Sequence, residues 1–257
     1  MEDHNTFWKR KTLIWDLAVM DLKLRYRNSI LGFFWTFLEP LLLLLVLYVV
    51  FTNIFKSQIE YFPLFLLLGL IIWNMFARGT QFGLNSILSR SGVLSHIYVP
   101  REILPISAAL TGLMMLTFEM AVFGTFLVVF GLIPPATVVI LPLIFILEFI
   151  LVTGLSFPLS LLNIKFRDTQ FVWGVLLQAG FFLTPVFYNT NILPEQIRRI
   201  IVFSPMVQIM NMARDATLYG KLPTIESVEI SLGTTFLILI VGYAIFRKLN
   251  MRIIEEL

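Results

Sequence analysis

The sequence predicts an all-α integral membrane protein with six transmembrane helices, and three observations carry that prediction. The 257 residues are 58% hydrophobic and 14% charged, with a mean hydropathy of +0.87, whereas globular chains carry roughly a quarter charged residues. Long stretches hold a single ionisable residue: Glu39 between Ser29 and Phe55, Glu119 between Ile103 and Leu132, and Glu148 between Ile133 and Ile164. The lysines and arginines collect between these stretches rather than within them. A hydrocarbon slab ~30 Å thick takes about twenty apolar residues per crossing. The chain therefore accommodates six crossings and short loops, with no sizeable domain outside the membrane.

An interfacial helix is expected first, over Phe7 to Arg27. At helical spacing Leu13, Leu17, Met20 and Leu24 form one apolar stripe, and Trp8, Trp15 and Leu22 another, with charges between. That pattern suits an amphipathic helix on the membrane surface with tryptophans at headgroup depth; an ordinary juxtamembrane anchor has the same pattern. Spans follow at Ser29–Phe55, Phe62–Leu88, Ile103–Gly131, Pro135–Asn163, Thr169–Tyr188 and Ile230–Phe246. Pro134 and Pro135 break the apolar run between the third and fourth, making a tight hairpin. Of the 19 lysines and arginines, thirteen fall on the side of the termini and five on the other, with Arg78 inside the second span. Positive charge accumulates on the cytoplasmic side, so both termini are expected there. No cleavable signal peptide is expected, because residues 1–27 are charged throughout.

Two connecting segments carry apolar runs of their own. Arg90 to Glu102 mixes polar and apolar residues, ends near Pro100, and has a small apolar face of Val93, Leu94, Ile97 and Tyr98. It reads either as a solvated loop or as a helix that docks in a groove of a soluble partner. Residues 192–221 hold two apolar runs of about ten residues behind Pro194 and Pro205, each proline at a plausible helix start. Runs that short suit re-entrant or interfacial helices rather than spans.

The chemistry available is limited. Cys is absent, which removes disulfides, iron–sulfur clusters and thiol nucleophiles. No phosphate-loop motif occurs, so ATP hydrolysis is not expected of this chain. His4 and His96 are far apart, so no metal site is expected. No catalytic residue stands out, although Glu39, Glu119 and Glu148 leave a membrane enzyme open as a rival. Intramembrane charges usually pair or mark function, and Arg78 is expected to pair with Glu119 or Glu148. Glu39 precedes Pro40, where snorkelling or a kink is the plainer account. Aromatic residues crowd span one (Phe33, Trp35, Phe37, Tyr48, Phe51) and span five (Phe181, Phe182, Tyr188). Most such rings anchor or pack, yet aromatic faces also stack on sugar rings. A pore lined by them would pass a polar polymer.

Several stretches resemble one family. DLKLRYRNSILGFFWTFLEPLL (Asp21 to Leu42) resembles the opening of the ABC-2 type permeases that export cell-surface polysaccharides, among them O-antigen, teichoic acid and capsule exporters. GLIIWNMFARGTQFGLNSILSRSGVLSHIYVPREILP (Gly69 to Pro105) is similar to that family's second span and following cytoplasmic segment. NIKFRDTQFVWGVLLQAGFFLTPVFY (Asn163 to Tyr188) and FSPMVQIMNMARDATLYG (Phe203 to Gly220) resemble its fifth span and return loop. Ser204–Pro205 stands where many members carry Asn-Pro. The resemblance covers nearly the whole chain in order and is nearest to the O-antigen exporter permeases.

The resemblance implies a single ABC-2 type transmembrane domain over residues 1–257, working in the bacterial inner membrane as a homodimer with two copies of a cytoplasmic ATPase subunit. No cofactor would be bound by this chain; ATP and Mg would belong to the partner, and no nucleic acid is involved. The cargo would be a polysaccharide linked to undecaprenyl pyrophosphate. Ser91, Val93, Leu94, His96, Ile97, Tyr98, Arg101 and Glu102 would form the coupling helix. Lys23, Arg25 and Arg27 would draw in the pyrophosphate, although positive-inside orientation alone accounts for them equally well. The aromatics named above would line a pore at the two-fold axis, and helices containing Pro194, Ile200, Pro205 and Met210 would gate its outer exit. A different glycan, or a small lipid or drug, is the alternative cargo on the same fold; a channel working without ATP is a further rival.

Overall fold

The structure, a computed structural model, describes residues 2–53, 59–90, 92 and 99–253. Among them are nine α-helices and no strands: α1 Glu2–Arg25, α2 Trp35–Asn53, α3 Phe62–Asn85, α4 Ile103–Val129, α5 Leu141–Lys165, α6 Thr169–Leu183, α7 Glu195–Ile201, α8 Pro205–Thr217 and α9 Ile225–Ile253. Five of these (α2, α3, α4, α5 and α9) are long and apolar enough to cross a membrane.

The fifth expected span is the exception. Helix α6 has 15 residues, roughly 22 Å at 1.5 Å per residue. It stops because Thr184 precedes Pro185, whose ring disfavours the helical region for its neighbour; Thr184 is extended, at φ −84° and ψ 139°. The expected end at Tyr188 is therefore too late. Two other boundaries shift for similar local reasons. The first span starts at Trp35 rather than Ser29, because Asn28 and Gly32 have positive φ and break the helical path from α1. The last helix runs from Ile225 to Ile253, well beyond Ile230–Phe246, since polar turns at both ends extend a helix without being apolar.

Helix α3 is the axis of the bundle. Leu64 through Trp73 are all buried, as expected for a helix apolar on every side. It packs against α4, α5, α6 and α8, with α2 along one flank. Helix α9 docks on α5 through a close backbone approach. A Cβ on Gly242 would lie 2.0 Å from the Gly154 carbonyl oxygen, the kind of small-residue contact that lets membrane helices meet. Helix α1 packs on α4, where the Thr111 hydroxyl donates to the Ala18 carbonyl at 3.3 Å. Its apolar residues divide: Ala18 is buried, whereas Trp15, Met20 and Leu24 are exposed. Helices α2 and α6 leave most of their apolar surface uncovered in one chain, including Leu42, Leu45, Val46 and Val49 on α2 and Phe171, Val175 and Leu176 on α6.

Candidate functional site

One ionisable residue on each of four adjacent helices forms a row through the bundle. Arg78 of α3 pairs with Glu119 of α4, and its other terminal nitrogen lies 3.9 Å from Glu39 of α2. Glu148 of α5 extends the row on the buried side, close enough to interact electrostatically with Glu119. Glu119 and Glu148 are fully buried, whereas the Glu39 side chain is 61% exposed. The expected pairing of Arg78 with Glu119 is thus present, and Glu148 is not its partner. Neither Glu148 oxygen has a hydrogen-bond partner among the described residues, nor does Oε2 of Glu119. Buried unpaired carboxyl oxygens cost several kcal/mol in apolar surroundings, so this row is not there for stability alone. Glu39, read from sequence as a kink or a snorkelling residue, is the exposed end of the row.

The other end of the bundle holds a fully enclosed arginine, one of the five basic residues assigned from sequence to the outer side. Arg214 of α8 is 2% exposed. It donates to the carbonyls of Pro185 at 2.6 Å, Val186 at 2.7 Å and Phe65 at 3.3 Å. Its guanidinium also lies over the Phe65 ring, 3.4 Å from the centroid, a cation–π contact. Arg214 therefore fastens α8, α3 and the turn after α6 together. Gly69 makes room for it: a Cβ there would stand 2.5 Å from Arg214 Nη2 and 2.6 Å from the Val186 oxygen. The available signal was an arginine inside the apolar run of residues 205–217.

The aromatic residues fall into two groups. At the α1 end, Phe33 makes edge contacts with Tyr26, Phe37 and Phe118 at 5.5, 5.3 and 4.7 Å; Trp35 is exposed. Toward the α8 end, rings run from Trp73 to Phe181 at 5.9 Å, on to Phe187 at 5.7 Å, then to Phe51 at 4.8 Å and Phe62 at 6.2 Å. Tyr48 stacks on Phe62, Phe182 packs beside Phe187 but stays exposed, and the Tyr188 hydroxyl donates to the Leu183 carbonyl at 2.8 Å. The α8-end group thus joins α2 to α6, two helices with largely uncovered apolar surface.

The remaining expected residues separate. Lys23, Arg25 and Arg27 are exposed at the end of α1. Arg25 lies over the Phe82 ring at 3.8 Å. Partial burial draws its guanidinium below its ordinary value; Tyr26 opposes the shift, Arg78 adds to it, and Glu39 and Asp21 oppose it. It remains charged at neutral pH all the same. Pro194 caps α7, which buries nothing; Ile200 is 74% exposed, whereas Met210 of α8 is fully buried. The expected helix starts at Pro194 and Pro205 are both present. Ser91, Val93, Leu94, His96, Ile97 and Tyr98 lie outside the described residues. Arg101 donates to Asn250 of α9 at 3.3 Å, and Glu102 pairs with Arg10 of α1 at 3.4 Å. The last two residues of the expected coupling segment thus touch α9 and α1.

Comparison with known proteins adds to this geometry. A family model described as ABC-2 type transporter matches residues 12–218. An O-antigen export system permease protein of Klebsiella pneumoniae is 31% identical over 249 residues, 95% of this chain and 96% of that protein. Its counterpart in Myxococcus xanthus is 28% identical over 252 residues, covering 97% of each. A polysialic acid transport protein of Escherichia coli is 24% identical over 252 residues, covering 94% of this chain and 95% of that protein.

Proposed function

Since the chain belongs to the ABC-2 type transporter family, we propose that it is the permease subunit of an ATP-driven exporter of a lipid-linked cell-surface polysaccharide, with O-antigen the favoured cargo. The observation that carries this reading is end-to-end similarity to permeases named for O-antigen and polysialic acid, all polysaccharides. Five long apolar helices place the chain in a membrane. In this reading the short helix α6 is the sixth crossing, and both termini face the cytoplasm. Two copies meet across the uncovered faces of α2 and α6, so that aromatics of both helices border a passage on the two-fold axis.

The physical steps follow from this chain's own residues. Lys23, Arg25 and Arg27 stand at cytoplasmic headgroup level and attract the pyrophosphate of undecaprenyl-linked glycan, arginine matching phosphate by its fork of donors. The lipid tail stays in the bilayer while sugars slide past Phe33, Trp35, Phe37, Tyr48, Phe51, Phe181, Phe182 and Tyr188. Ring faces stack on sugars without demanding a fixed register. ATP binding by two separate ATPase subunits moves the segment from Arg90 to Glu102, and through Arg10 and Asn250 that movement reaches α1 and α9. Helices α7 and α8 cover the outer exit, α8 held in place by Arg214.

Deletion of the chain in its host tests the reading directly. Lipid-linked polymer is expected to accumulate inside the cell, with none at the surface, and export is expected to return with the parent gene. Normal surface polymer in the deletion strain overturns the assignment.

A further inference from the structure

Where α1 crosses the end of α3, a cavity of about 360 Å³ opens between Asp21, Arg25, Phe82, Asn85, Ser89 and Arg90. Its two arginines are in different situations. Arg90 is committed: it pairs with the Asp21 carboxylate and donates to the Ser86 carbonyl at 3.2 Å. Arg25 makes no hydrogen bond or ion pair among the described residues, and its contact is the Phe82 ring at 3.8 Å. A guanidinium laid on a ring keeps its donors pointing outward around the ring's edge, in a plane the ring fixes. The two arginines and one aspartate leave the cavity a formal charge of +1. An oriented, uncommitted guanidinium in a net positive cavity matches a tetrahedral oxyanion, which takes two parallel N–H donors at once.

We propose that this cavity is a binding site for a phosphoryl group, with Arg25 as its principal ligand, Phe82 fixing the plane of that ligand, and the Asp21–Arg90 pair forming the opposite wall. The proposal rests on the export reading for the side of the membrane it faces, and it divides the three basic residues of that reading. Lys23 and Arg27, which do not line the cavity, act by long-range attraction. Arg25 makes the contact. The shared chemistry fits the pyrophosphate of a lipid-linked glycan or the phosphate of an anionic phospholipid.

The test is equilibrium binding to the full-length permease in phosphatidylcholine nanodiscs, with inorganic pyrophosphate, a short-chain polyprenyl pyrophosphate and phosphatidylglycerol as three separate probes. Arg25→Gln is expected to weaken binding by about tenfold or more, the scale of a lost charge-assisted contact. Arg25→Lys keeps the charge but loses the fork, and Phe82→Leu keeps the packing but loses the stacking; each is expected to give a smaller loss. Arg167→Gln, on an exposed loop, is expected to bind like the parent. Tighter binding of polyprenyl pyrophosphate than of phosphatidylglycerol identifies the cargo headgroup as occupant. Equal, Arg25-dependent binding of both identifies a membrane phospholipid, and the site stands. Arg25→Gln protein that binds all three probes like the parent overturns the site, whatever the export phenotype. Conversely, surface polymer in the deletion strain overturns the exporter reading and leaves an Arg25-dependent anion site intact.

Discussion

Arg78 projects from α3 and Arg214 docks on it, yet their charges are handled in opposite ways. Arg214 is surrounded by three backbone carbonyls and a ring, with no carboxylate within ion-pair distance among the described residues. Carbonyls of packed segments have no alternative position, so that cage is a fixed joint. Arg78 is shared between a fully buried carboxylate, Glu119, and an exposed one, Glu39, on the loosely covered helix α2. Charged side chains can exchange partners, so this joint can be remade as α2 moves. One bundle thus holds a rigid joint near α8 and an adjustable one at mid-depth, an arrangement that fits the proposed movement of α2 around cargo.

The largest effect expected from this contrast is at the rigid joint. Arg214→Ala orphans three carbonyls and leaves a void, and costs about 3–5 kcal/mol. Gly69→Ala, whose Cβ would fall 2.5 Å from Arg214 Nη2, is expected to approach it. Thermal melts in detergent read both, and a variant as stable as the parent breaks the cage account. Next comes Glu119→Gln, which strips the short-range partner from Arg78 and is expected to cost about 3 kcal/mol. Adding Arg78→Gln to it should recover part of that loss, with a coupling of about 1–3 kcal/mol across the double-mutant cycle; strict additivity would dissolve the pair. Glu39→Gln sharpens the comparison further. Its carboxylate is exposed and 3.9 Å away, so stability should change by less than about 1 kcal/mol while the export rate changes. A loss as large as that of Glu119→Gln would make α2 as fixed as α8. Smallest is Glu148→Gln, because no described partner is lost; a melting temperature equal to or above the parent's is expected.

How legible each region was follows from the same chemistry. Long apolar stretches with at most one charge each are strong signals, and they mark α2, α3, α4, α5 and the middle of α9. Proline marked the starts of α7 and α8, and the Thr184–Pro185 step that shortens α6 was readable but was passed over in favour of a continuous apolar run. Arg78 stood out because it is isolated in sequence, and its link to Glu119 was among two pairings allowed by composition. Arg214 did not stand out, because its segment reads as a short re-entrant or interfacial helix in which the arginine counts only as one of five outer-side charges. Its partners are backbone carbonyls, which carry no residue code, and they come from positions 65, 185 and 186, distant in the chain. The stacking of Arg25 on Phe82 was hidden for the same reason: it joins two helices whose crossing the sequence does not state.

On the proposed reading, this chain converts the ATP cycle of a separate subunit into movement of a lipid-linked glycan. The most direct measurement is ATP hydrolysis by the purified complex in lipid, with and without lipid-linked glycan. A stable assembly of two permeases and two ATPase subunits, with hydrolysis stimulated by the glycan, is the predicted result. Absence of any ATPase partner, with activity that ignores nucleotide, would contradict the claim.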